Sequence, residues 1–204
     1  MWKMWFCIVI LLLIAGVFAE VERELHTFCI TRYKVLSPKW NGEKSGKIIF
    51  LSDLHNHEYG LHNKKLIDKI KKENPELILI GGDILVGKED ISYESAAGFV
   101  EAICKIAPVY YANGNHEQRM KEKPEKYGNA FVGYKKRLLD AGVHFLENES
   151  AEVELGGNKL CLTGLELQLE VYEKMKTHKV TKEDVAQKVG SANREEIQIL
   201  LAHN

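Results

Sequence analysis

The chain has 204 residues, 45% of them hydrophobic and 28% charged, with a formal net charge of −1. That is about one domain, large enough to bury a core, and the balanced charge excludes a protein that grips nucleic acid on a strongly basic face. Cys7, Cys29, Cys104 and Cys161 have no paired spacing, which excludes a zinc ribbon, a Cys-x-x-Cys redox site and a disulfide scaffold.

Residues Trp5 to Ala19 (WFCIVILLLIAGVFA) are apolar throughout, with Lys3 ahead and Glu20, Glu22, Arg23 and Glu24 behind. The run is shorter than the roughly 20 residues that comfortably span a bilayer. It lengthens if Trp2 and Met4 are counted and Lys3 snorkels to the interface. Residues 1–20 are therefore expected to be an N-terminal transmembrane anchor or, alternatively, a signal peptide cleaved after Val17-Phe18-Ala19. A buried core helix fits poorly, because the segment has no polar face. Basic charge before and acid after place the rest of the chain outside the cytoplasm, on the cell membrane or secreted if the leader is cleaved. Residues 21–46 read as a connector: alternation from Phe28 to Val35 predicts an edge strand, broken by Ser37-Pro38 and Asn41-Gly42.

From Lys47 onward apolar strands alternate with amphipathic helices. Strands are expected at Lys47–Ser52, Glu76–Ile80, Val109–Ala112 and His144–Leu146, with helices at Asn63–Glu73, Ser92–Ile106 and Gly128–Ala141. Continuous apolar strands separated by helices mean a mostly parallel sheet covered on both faces. The pattern then changes. Ala151–Leu155 and Lys159–Gly164 flank Gly156-Gly157-Asn158 as a hairpin. Short helices follow at Glu170–Lys176 and at Lys182–Lys188, the second capped by Thr181 with Asp184 three residues on. Ile197–Ala202 is a last strand, ending in His203-Asn204.

Just past the carboxyl ends of these strands stand Asp53 and His55, Asp83, Asn115 and His116, and His203. Ligands of open α/β sheets bind at that edge. Carboxylates with imidazoles suit divalent manganese, iron or zinc. Asp83 is placed to lie between two ions, one held with Asp53 and His55 and the other with Asn115 and His203. Two ions roughly 3.5–4 Å apart would serve phosphoryl transfer. His116 would then donate a proton to the leaving oxygen, and Asn115 and His116 would contact the substrate. His26, His62, His144 and His178 read as loop or solvent residues, as do His57 and Glu58, which could line the opening. Cys104 and Cys161 read as packing residues, and Glu117 has no derivable ligand role.

Asp53-Leu54-His55, Gly82-Asp83, Gly114-Asn115-His116-Glu117 and Leu200-Leu201-Ala202-His203-Asn204 resemble four signature blocks of the calcineurin-like metallophosphoesterases. The leader is similar to that of their membrane-anchored bacterial branch. The resemblance covers Lys47 to Asn204. It implies an α/β fold, the family's four-layer α/β/β/α sandwich, in a domain spanning residues 47–204. It also implies a metal-dependent phosphodiesterase or phosphohydrolase with two divalent ions. The anchor's location points to a phosphorylated small molecule or a lipid or cell-wall phosphate as substrate, and the balanced charge to no nucleic-acid partner. By the same resemblance Asp53, His55 and Asp83 hold one ion, Asp83, Asn115 and His203 the other, and His116 is the proton donor. The family's fifth block, Gly-His-x-His, has no counterpart, because the sequence contains no Gly-His dipeptide. The chain is accordingly expected to be C-terminally incomplete, with an apolar sheet face uncovered. Its alternative function is that of an inactive remnant or a metal- or phosphate-binding module.

Overall fold

The computed structural model describes residues 1–41, 44–172 and 179–203. The first four strands, β1 (Ile48–Leu51), β2 (Leu77–Ile80), β3 (Val109–Tyr111) and β4 (His144–Phe145), pair in that order, all parallel. Their register aligns Leu51 with Ile80, Ile80 with Tyr111 and Tyr111 with Phe145. All four carboxyl ends therefore finish on one line, and the loops that follow share one edge.

Helices α2 (Lys64–Glu73), α3 (Glu94–Cys104) and α6 (Ala130–Asp140) cover one face of this sheet. The apolar run of β2 explains itself at this point. Ile78 and Ile80 pack under the helices, whereas Leu77 and Leu79 face a second sheet, so no residue of the strand meets water. That second sheet consists of β5 (Ser150–Leu155), β6 (Asn158–Leu165) and β7 (Ile197–Ala202), with β5 antiparallel and β7 parallel to β6. Gly156 and Gly157 both take positive φ, as the expected two-residue hairpin turn requires. Leu155, Leu160, Leu162 and Leu201 press against Leu77, Leu79, Ala112 and Leu146 of the first sheet.

The expected uncovered apolar face is not found among the described residues. The apolar faces of the two sheets cover each other, and the outer side of the second sheet carries Glu152, Glu154, Lys159 and Gln198. Among the described residues, the exposed large apolar side chains of the sheets are Phe50 and Leu200. Helix α7 (Lys182–Val189) packs on β6. Because β6 is paired on both edges and its inner side is filled, α7 lies on the outer side, giving the helix–sheet–sheet–helix order. Thr181 caps α7 as expected: its hydroxyl accepts from the Asp184 amide, and the Asp184 carboxylate accepts from the Thr181 amide.

Three expectations change. No strand forms between Phe28 and Val35. The connector is tied down by side chains instead, with Phe28 edge-on to Tyr59, Arg32 paired with Glu73 and Trp40 packed on the second core. Tyr33, Val35 and Leu36 face solvent, so the alternating pattern had no half-buried surface to fit. Of the helix expected at Glu170–Lys176, a 3₁₀ turn at Leu169–Tyr172 is seen and the remainder lies outside the described residues. Two unexpected helices, α4 (Asn115–Glu122) and α5 (Pro124–Tyr127), follow β3. At the other end α1 (Trp2–Leu25) buries none of its 24 residues and is long and apolar enough to cross a membrane.

Candidate metal centre

The site forms where the loops after β1, β2 and β3 are laced together. The backbone N–H groups of Asp53, His55 and Asn56 donate to the carbonyls of Gly82, Asp83 and Ile84 at 2.9–3.1 Å. Asp53, His55 and Asp83 all adopt left-handed backbone conformations, φ 57°, 49° and 56°. Non-glycine residues rarely take these, and such outliers persist where surrounding bonds over-determine them. Gly82 (φ 94°) comes so close to Gly114 that any Cβ on it would strike the Gly114 backbone. The two glycines of the motifs thus serve one purpose, bringing the β2 and β3 loops into contact.

Asp83 is the hub. Its side chain is 2% exposed, and Oδ1 accepts from the His116 amide at 2.8 Å. Its Oδ2 faces three imidazoles, with His203 Nε2 at 3.4 Å and His55 and His116 Nε2 both at 3.8 Å. Asp53 Oδ1 lies 3.6 Å from His55 Nε2 and 3.9 Å from His203 Nε2, and Ser52 Oγ donates to its Oδ2. Two overlapping triplets result, His55–Asp83–His116 and Asp53–Asp83–His203, each with its donor atoms within 4.8 Å of one another. Asp53, His55, Asp83, His116 and His203 of the set expected from sequence lie together here. The nearest-neighbour grouping, however, places His116 beside His55, and His203 beside Asp53. Asn115 opens α4 directly before His116, at a helix N-terminus, where dipole and free amides favour anions.

The two buried histidines are held in opposite senses. The Gly87 N–H donates to His116 Nδ1 at 2.8 Å. An amide cannot accept, so the ring proton of neutral His116 sits on Nε2. For His203 the partner of Nδ1 is the Gly81 carbonyl, at 2.8 Å. A carbonyl cannot donate, so Nδ1 carries the proton and Nε2 turns towards Asp83 and Asp53, the arrangement of a metal-ligating imidazole. The two rings also differ in charge when no metal is bound. Burial pushes His116 below its ordinary pKa, whereas the Asp83 carboxylate raises His203 to about 9. Burial works against ionised Asp83, but the bonds from His203 and His116 outweigh it and hold the carboxyl below its usual range. A buried carboxylate facing three imidazole nitrogens, with a second carboxylate beside it, fits a divalent cation.

Glu117 is the residue whose role the sequence did not reveal. It is fully buried, and its carboxylate accepts from the amides of Asp83 (2.9 Å), Ile84 (3.2 Å) and Gly114 (3.0 Å) and from the Tyr111 hydroxyl (2.6 Å). Burial pushes this carboxyl up, against the Tyr111 hydroxyl. Its position three residues after Gly114, an acid at the third place of a helix, was the available signal, but α4 had not been expected. The remaining histidines stay apart from the site. His26 bonds the Glu22 carbonyl, His57 that of Leu25, His62 is exposed and His144 stacks on Tyr110. His178 lies outside the described residues. Glu58 is taken up by Ser95 and the His62 amide, and burial raises Cys104 to about 11, which leaves it unreactive.

Residues 46–204 match the family model described as calcineurin-like phosphoesterase. The chain belongs to the calcineurin-like phosphoesterases. Among curated relatives it is 29% identical over 126 residues to the uncharacterized metallophosphoesterase YkoQ of Bacillus subtilis, covering 60% of this chain and 44% of YkoQ. It is 26% identical over 121 residues to the phosphodiesterase YaeI of Escherichia coli, covering 58% of this chain and 42% of YaeI. The chain thus aligns with less than half the length of either. Among solved structures it is similar to the phosphopantetheinyl hydrolase PptH of Mycobacterium tuberculosis, at 12% identity and a TM-score of 0.48 over 78% of this chain and 68% of that one. This calcineurin-like phosphoesterase therefore pairs its family's motifs with the carboxylate–imidazole cluster seen at the strand ends.

Proposed function

We propose that the protein hydrolyses a phosphodiester or pyrophosphate with two divalent ions, manganese, iron or zinc, at the outer face of the membrane that α1 enters. The observation that supports this best is the opposite locking of His116 and His203 around one buried carboxylate. His203 keeps its Nδ1 proton on the Gly81 carbonyl, so that Nε2, once its own proton is displaced, serves as a ligand with Asp83, Asp53 and His55. His116, neutral with its N–H at Nε2, serves as a hydrogen-bond donor to the charge that develops on the phosphoryl group and leaving oxygen. Bound ions would lower the pKa of water and offset charge on the phosphoryl oxygens. The chain's own groups do the rest. Asn115 holds the phosphoryl group, Asp83 fixes the His116 backbone through Oδ1, and the His116 Nε2–H donates to the leaving oxygen as charge develops on it.

Lys3 ahead of the apolar run, and a following domain long enough to translocate regardless of its charge, support an outward-facing domain. The substrate class that follows is a phosphorylated small molecule or a lipid or cell-wall phosphate. Metal content and turnover of bis(p-nitrophenyl) phosphate, measured on Asp83→Asn and His116→Gln, test the assignment. Asp83→Asn should lose both. His116→Gln should keep its metal and lose about 10²-fold or more in turnover, the scale of a lost donor to developing charge. Full metal and turnover in Asp83→Asn would refute the shared-carboxylate reading. Metal bound without turnover by the unsubstituted chain would favour the binding-module alternative.

A further inference from the structure

The last turn of α1 is attached to the loop that carries the site. His57, two residues beyond His55, bonds the Leu25 carbonyl at 2.7 Å. Tyr59 in the same loop packs edge-on against His57 and against Phe28, just past the helix. The loop is in turn tied to its neighbour, with Asn56 donating to the Ser92 carbonyl at 3.1 Å. These two loops carry the exposed apolar side chains Leu61 and Ile91, with Lys65, Lys88, Glu89 and Asp90 exposed beside them.

The helix sets the height of this edge above a bilayer. Its apolar run ends at Ala19, and Glu20 to Leu25 add a polar stretch of about 9 Å at 1.5 Å per residue. A headgroup layer is roughly 5–8 Å deep on each side of the hydrocarbon. With Ala19 at the hydrocarbon boundary, the Leu25 carbonyl and the site loop attached to it stand at the outer edge of the headgroup layer. Exposed leucine and isoleucine suit that layer, whose boundary takes apolar side chains.

We infer that the mouth of the site is seated on the membrane, with Leu61 and Ile91 dipping into the headgroup layer, and that the substrate is the phosphoester of a lipid headgroup delivered within that layer. The substrate half of this inference rests on the proposed hydrolase activity; the seating rests on α1 and the His57 contact alone.

The test uses the full chain in phosphatidylcholine–phosphatidylglycerol vesicles. In a background with all four cysteines changed to alanine, nitroxides are attached at Leu61→Cys, Ile91→Cys and, on exposed α6, Val132→Cys. Labels at 61 and 91 should be shielded from an aqueous relaxant and reached by a lipid-soluble one, while the label at 132 should behave as in water. Equal aqueous exposure at all three positions overturns the seating.

In parallel, Leu61→Asp with Ile91→Asp should lower turnover of a vesicle-borne phospholipid by about tenfold and leave that of soluble bis(p-nitrophenyl) phosphate unchanged. Cleavage of the soluble diester without any cleavage of vesicle lipid by the unsubstituted chain overturns the lipid substrate. Absence of turnover on both refutes the hydrolase reading and the lipid substrate with it, while the nitroxide depths still decide the seating.

Discussion

Replacing Glu117 by glutamine separates the role of its shape from that of its charge. Two of its four donors, the Asp83 and Gly114 amides, converge on Oε2, while the Ile84 amide and the Tyr111 hydroxyl converge on Oε1. Glutamine keeps its oxygen at the Oε2 position, where both donors are amides that cannot reverse. Its NH₂ group then faces Tyr111, whose hydroxyl can turn to accept, and the Ile84 amide, which cannot. One buried amide is left without an acceptor, at about 1–3 kcal/mol, and the bonds that remain lose their charge assistance. A total of about 2–3 kcal/mol corresponds to a fall in Tm of roughly 5–10 °C for a chain of this size. Because the Asp83 amide is held by this carboxylate, metal affinity should fall by more than about tenfold, the scale seen when a group supporting a ligand is lost. Thermal melts of the metal-free chain and titration with manganese read the two effects separately. An unchanged Tm together with unchanged affinity would refute the view that Glu117 holds the β2 and β3 loops in register.

Gly82→Ala should cost about 3 kcal/mol or more, since its φ of 94° and the Gly114 backbone both oppose a Cβ; denaturant titration checks it. In the metal-free chain the folded-state pKa of His203, about 9, lies above its ordinary value near 6.5. The resulting stabilisation is fully present below about pH 6.5 and is lost as the pH rises through about 9, amounting to roughly 3 kcal/mol. Melts of the chelated chain should therefore be higher at about pH 6 than at about pH 9.5, and a flat profile would contradict the His203–Asp83 pairing. Thr181→Ala removes the α7 cap and should cost about 1 kcal/mol. Hydrogen exchange should show that loss confined to α7, with metal affinity unchanged.

Much of the site was legible because its chemistry sits at strand ends, and strands are what the sequence marks best. A run such as Glu76–Ile80 announces a strand buried on both faces, so Asp83 could be placed at the sheet edge before any contact was known. The helical period likewise located α2, α3 and α6. What stayed hidden had no periodic signature. Helix α4 is short and highly polar, so Asn115 and His116 read as loop residues, and the meaning of Glu117 depended on a helix that was not foreseen. The Phe28–Val35 alternation misled for the opposite reason: a period of two promises a strand only when a sheet edge accepts it. The contrast between His116 and His203 could not be read at all, because it depends on whether a backbone N–H or a backbone carbonyl happens to face Nδ1.

The position of His203 also bears on how the molecule comes together. Its ring nitrogen and the Gly81 carbonyl are 122 positions apart along the chain and belong to different sheets. A ligand bridging His203 and Asp83 therefore closes a loop of the kind a disulfide would close, and constraining one of that length takes about 5 kcal/mol of freedom from the unfolded chain. Docking of the second sheet and completion of the site become one event. Until β7 reaches its place beside β6, the first sheet carries only part of a binding site, so a partly folded chain would capture metal poorly and a finished one would be fastened by it.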